Sequence, residues 1–76
     1  MPRKLRVSWK KFSKFVVAVG CVFERTKGDH HIYRRADLMR PVVIPMRNPL
    51  PFGVIESNLL TLRISYEKFE EIIKGL

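Results

Sequence analysis

The chain has 76 residues, 46% of them apolar and 29% charged, which suits one small globular domain spanning 1–76 and argues against disorder. Fifteen Lys and Arg stand against seven Asp and Glu, a net charge of +8 that favours a polyanionic partner: nucleic acid, an anionic membrane surface or an acidic protein. The lone Cys21 excludes an intrachain disulfide and a cysteine-rich zinc site, and the longest uncharged apolar run, Phe15 to Phe23, falls well short of the ~20 residues a bilayer span needs.

The opening residues, Met1-Pro2-Arg3-Lys4-Leu5-Arg6, are basic but lead into no long apolar stretch, so no signal peptide is expected and the cytoplasm is the expected location. Ser8 is placed as a helix N-cap, and Trp9, Phe12, Val16 and Val19 recur at helical spacing as one apolar stripe, predicting a helix over 8–19. Lys10, Lys11 and Lys14 fall mostly off that stripe, as either a solvated face or a contact for RNA. Gly20 stands where a left-handed helix terminus is wanted.

Residues 21–27 and 30–35 read as two strands joined by a Gly28-Asp29 turn, and residues 41–46 as a third strand. Pro41 and Pro45 cannot donate to a ladder, so that third strand is expected either to have at least one unpaired stretch or to lie near an edge. A proline-stiffened loop, Asn48 to Pro51, leads into a second helix over 52–62 with Ile55, Leu59 and Leu62 on one side. Ser65 caps a third helix, with Ile64 and Phe69 as a hydrophobic staple, Phe69, Ile72 and Ile73 inward, and Glu67, Glu70 and Glu71 outward. The order α-β-β-β-α-α predicts a small α+β domain with helices on one face of a three-stranded antiparallel sheet.

The charge is lopsided. Residues 1–40 carry eleven basic and three acidic side chains, whereas residues 41–76 carry four of each. The excess therefore belongs to the first helix and first two strands. The outer faces of the last two helices are neutral to acidic, with only Asn58 and Arg63 fit for reading bases, so a helix-turn-helix DNA reader is the weaker reading.

Several segments together carry a family likeness. They are Val19-Gly20-Cys21-Val22-Phe23, the run Lys27-Gly28-Asp29-His30-His31-Ile32-Tyr33-Arg34-Arg35, the Val42-Val43-Ile44-Pro45 strand, Gly53-Val54-Ile55-Glu56-Ser57, and the Leu62-to-Phe69 junction. Over about residues 8–74 the chain resembles the HicA family of toxin ribonucleases, or mRNA interferases. The resemblance implies a fold like that of double-stranded-RNA-binding domains, cleavage of mRNA, and neutralisation by a HicB-like antitoxin encoded beside the toxin. It also implies that the key histidine is His30, which directly follows Gly28-Asp29, with His31 the second choice. The chain departs from the family in having Asp29 where Ser is usual. Its second helix lacks the usual Lys and Arg and carries Glu56 and Asn58 instead.

RNA brings its own nucleophile, the 2′-hydroxyl. Cleavage needs that proton removed, the phosphoryl charge stabilised and the 5′-oxygen protonated. The segment 25–35 offers His30 for proton transfer, Lys27 with Arg34 or Arg35 for phosphate, and Tyr33 either to stack on a base or to pack. Asp29 either makes the turn or orients a histidine. Adjacent histidines on a strand point to opposite faces and cannot share one ion, so no metal and no cofactor is expected. Two readings from other classes stay open: a non-catalytic RNA-binding module or inactive family member, and a purely protein-binding role.

Overall fold

The computed structural model describes residues 5–76, so the basic pair Arg3 and Lys4 lies outside the described residues. Helix α1 (Trp9–Ala18) is followed by strands β1 (Val22–Lys27), β2 (His30–Arg34) and β3 (Val42–Pro45), then helices α2 (Phe52–Leu62) and α3 (Tyr66–Lys74). The sheet is antiparallel in the order β1-β2-β3, which puts the proline-bearing strand at an edge as expected.

Two serines start two of the helices. Ser8 Oγ accepts from the Lys11 N–H at 3.1 Å and Ser65 Oγ from the Lys68 N–H at 3.1 Å, each satisfying a donor the helix itself leaves free. Replacing either serine by alanine is expected to cost about 1 kcal/mol of stability. Urea titration checks this, as a lower midpoint with an unchanged slope.

Strand alternation sorts the sheet into two faces. Tyr33, Val42 and Ile44 face the helices and join one cluster with Phe12, Phe15, Val16, Ile55, Leu59, Leu62, Phe69 and Ile73. All three helices contribute to that core. Phe15 was not part of the predicted stripe but is fully buried, which widens the apolar face of α1. His30, Ile32, Val43 and Pro45 belong by register to the other face. β1 is exposed along its whole length rather than alternating. It is the free edge, and an irregularity between Phe23 and Arg25 interrupts its pairing.

α2 lies against the β3 edge. Asn58 is buried there, and its Nδ2 donates to the Val43 carbonyl at 3.0 Å, occupying a backbone acceptor the edge would otherwise present to solvent. Asn58 is thus a structural staple and not an exposed reader of bases, which further weakens the helix-turn-helix reading.

Arg35 ties the end of α1 to the β2–β3 connection. Its Nη1 donates to the Val19 carbonyl at 2.5 Å, while Nε and Nη2 grip the Asp37 carboxylate at 2.6 and 3.2 Å. The hydrogen bonds from Arg35 hold the Asp37 carboxyl below its ordinary range. A depressed carboxylate contributes stability above its unfolded pKa, and the contribution disappears as pH falls through the folded value. Asp37→Asn is therefore expected to lose less stability than wild type as pH drops below about 4. Urea midpoints taken across that range read the difference. The pair is exposed, so the effect is modest.

Candidate functional site

The β1–β2 hairpin closes in two residues. Gly28 takes φ +61 while Asp29 keeps a negative φ, the pattern of a tight hairpin with glycine first. The turn sets Lys27 directly across from His30, so both project from the same face of the sheet. Asp29 does more than make the turn: its Oδ1 lies 2.8 Å from His30 Nδ1. A carboxylate so placed accepts a hydrogen bond from Nδ1–H, which fixes the tautomer and leaves Nε2 as the nitrogen free to exchange a proton. The His30 side chain is 44% exposed, open enough to meet a substrate.

His31 points the other way. Its ring packs edge-on against Trp9 and Phe23, with centroids at 4.9 and 5.3 Å, and its buried Nδ1 has no protein partner. The two adjacent histidines are therefore separated by the sheet itself, one lining the interior and one at the surface.

Beside His30 a groove of about 390 Å³ opens between the outer face of β3 and α2. Val43 and Pro45 form part of its floor, Val54 and Ser57 part of its wall, and Arg40 stands on its rim. The chemistry of the place is that of an anion site: an oriented imidazole with lysine across from it and an arginine along the groove.

Not every cation expected at the site is there. Arg34 shares the open face but is engaged by Glu24, which also lies 3.6 Å from Arg25. Arg35 is committed to Val19 and Asp37, away from the hairpin. Tyr33 is only 6% exposed and packs in the core against Phe23, so packing prevails over stacking on a base. The cause is alternation: Tyr33 shares the inward phase of His31. Lys10, Lys11 and Lys14 belong to α1, on the opposite side of the sheet from His30. Lys10 sits 5.8 Å from the Trp9 ring centre, Lys11 Nζ donates to the Leu76 carbonyl at 2.7 Å, and Lys14 is exposed. They form a separate basic surface.

Cys21 is buried, and burial pushes its thiol up, which disfavours the thiolate a nucleophile would need. Among the described residues no cluster of three or more His, Cys, Asp or Glu is placed to hold a metal ion, and no helix is long and apolar enough to cross a membrane.

Residues 9–61 match the sequence model of the HicA toxins of bacterial toxin–antitoxin systems. The chain belongs to the HicA toxin family. The match runs from the first residue of α1 to the last turn of α2, and so takes in the hairpin, His30 and the groove. No curated protein sequence matches significantly. For a HicA toxin the sequence likeness points to His30. Nothing local in the sequence marks Arg40; only the packing of α2 on β3 brings it to the same groove as His30.

Proposed function

We propose that this HicA toxin is an endoribonuclease that cleaves mRNA with His30 as its proton-transfer group. The observation that carries the reading is the contact of His30 Nδ1 with Asp29 at the mouth of a groove lined by Arg40, with Lys27 across the hairpin from His30. His30 Nε2 takes the 2′-hydroxyl proton as that oxygen attacks the adjacent phosphorus. The new P–O2′ bond forms as the P–O5′ bond breaks, and the departing 5′-oxygen takes a proton from solvent water, leaving a 2′,3′-cyclic phosphate and a 5′-hydroxyl. Lys27 faces the developing charge on the phosphoryl oxygens. This chemistry uses the nucleophile that RNA supplies and calls for no metal.

The order α-β-β-β-α of the matched segment supports a fold like that of double-stranded-RNA-binding domains. The toxin family implies an antitoxin, and a HicB-like protein that covers the hairpin and groove would inhibit by occlusion. A short reading frame beside this one, encoding such a protein, is the expected genomic context.

The test is direct. Purified protein is incubated with mRNA in the presence of EDTA, and the new ends are analysed. Cleavage to cyclic phosphate and 5′-hydroxyl ends supports the reading. RNA that is bound but left whole makes the protein a binding module.

A further inference from the structure

We infer that the groove between α2 and β3 is the track for single-stranded RNA leading away from His30, with Arg40 and Arg63 as its phosphate contacts. The inference rests on the ribonuclease reading and deepens it by naming the form of the substrate and where it lies.

The groove does not end at Arg40. A second depression of about 240 Å³ shares Arg40, Ser57 and Thr61 with the first and continues to Met39, Leu60 and Arg63. The two form one trough along α2, from the histidine hairpin to the C-terminal end of the helix. None of the residues lining it is acidic. Glu56, the acid of α2, lines a different depression beside Ile64 and Tyr66.

α2 carries no Lys or Arg of its own, yet cations reach the trough from outside it. Arg40 comes from the β2–β3 connection and Arg63 caps the helix. Both are exposed and neither forms an ion pair within the described residues. Asp37, whose charge feels Arg63, is already gripped by Arg35.

Arg63 adds an independent sign. Its φ of +59 places it in the left-handed region at the end of a helix, the position that favours glycine. A large side chain kept in a strained backbone conformation points to a use for that side chain.

The apolar parts fit bases. Met39 is 91% and Leu60 78% exposed, and the two flank the far end of the trough, while Pro41, Val43 and Pro45 line the near end. Unpaired bases can lie against such surfaces, whereas a duplex keeps its base faces stacked inside.

The experiment uses the full chain and a short, fluorescently labelled 2′-O-methyl oligonucleotide of mixed sequence. The probe lacks the 2′-hydroxyl nucleophile, so binding is read apart from cleavage. Arg40→Ala and Arg63→Gly are each expected to weaken binding roughly five- to tenfold and to lower the salt slope by about 0.7, the loss of one phosphate contact on a single strand. Lys68→Ala on α3 is expected to bind as wild type. Arg63→Gly is expected at the same time to raise the melting midpoint by a few degrees, on the order of 4 °C, because glycine relieves the left-handed strain. That separates lost contact from lost fold.

Wild-type affinity and salt slope in both arginine variants overturn the inference. So does preference for the duplex form of the probe, or failure of the wild-type chain to bind the single strand. If the probe binds through Arg40 and Arg63 but unmodified RNA stays whole, the track stands and the nuclease reading falls. If RNA is cut equally by wild type and both arginine variants, the nuclease reading stands and the track falls.

Discussion

His30→Ala is expected to lower RNA cleavage by roughly 10²- to 10⁴-fold, the usual worth of a positioned proton-transfer group. Its stability is expected to stay within about 0.5 kcal/mol of wild type, as for a surface side chain outside the core. His31→Ala is expected to do the reverse. That ring touches Trp9 and Phe23 edge-on, and aromatic contacts of this kind contribute about 0.5–1.5 kcal/mol each. Truncation should therefore cost about 1–3 kcal/mol, while the surviving folded molecules cleave at the wild-type rate. His31→Phe sharpens the contrast. It keeps a ring between Trp9 and Phe23 and removes the buried Nδ1 that no protein group satisfies, so it should fold at least as well as wild type. Cleavage rates and urea midpoints of the three variants decide it. Loss of cleavage in His31→Phe with full activity in His30→Ala would reverse the assignment.

The contrast between two neighbouring histidines shows what the sequence can and cannot say. A period of two already requires that they face opposite ways, and the Gly28-Asp29 turn fixes where the strands begin. Which face is covered is a tertiary fact. It depends on the helices packing against the side that carries Tyr33, Val42 and Ile44. The same uncertainty governed Tyr33, whose packing role follows once His31 is known to be inward.

The elements themselves were legible because their signals are local: serine caps, helical spacing of Ile55, Leu59 and Leu62, and a glycine turn. Charge was legible only as a total. The excess of the first half is divided among Lys10, Lys11 and Lys14 across the sheet, Arg34 facing Glu24, and Arg35 pinned to Asp37. The cations left beside the hairpin and along the groove are Lys27 and Arg40 from the first half and Arg63 from the second. Folding redistributes charge that counting assigns to a segment.

Phe69→Ala is expected to be the most damaging single substitution for stability. The side chain is fully buried, and its ring stacks against Phe12, Phe15 and Tyr66 with centroids at 5.7, 4.8 and 5.5 Å. Truncation of a buried phenylalanine costs about 3–5 kcal/mol. A domain of this length has only about 4–11 kcal/mol in total, so the variant keeps a small remainder or unfolds. Urea titration or a melting curve reads the loss directly. The position is telling because α3 lies beyond the segment, 9–61, that matches the toxin family, and α3 lines neither the hairpin nor the trough along α2. Yet Phe69 and Ile73 close the core over α1, and Tyr66 Oη accepts from the Leu5 N–H at 2.7 Å, tying down the segment before α1. Without α3, Phe12 and Phe15 would face water, and α1 would lose the support that lets Trp9 press on His31 and hold β2 in register. The chemistry proposed for His30 thus depends on a helix that never approaches it. Phe69→Leu, which keeps most of the buried volume, should retain both fold and cleavage, whereas Phe69→Ala should lose cleavage only in proportion to the folded fraction.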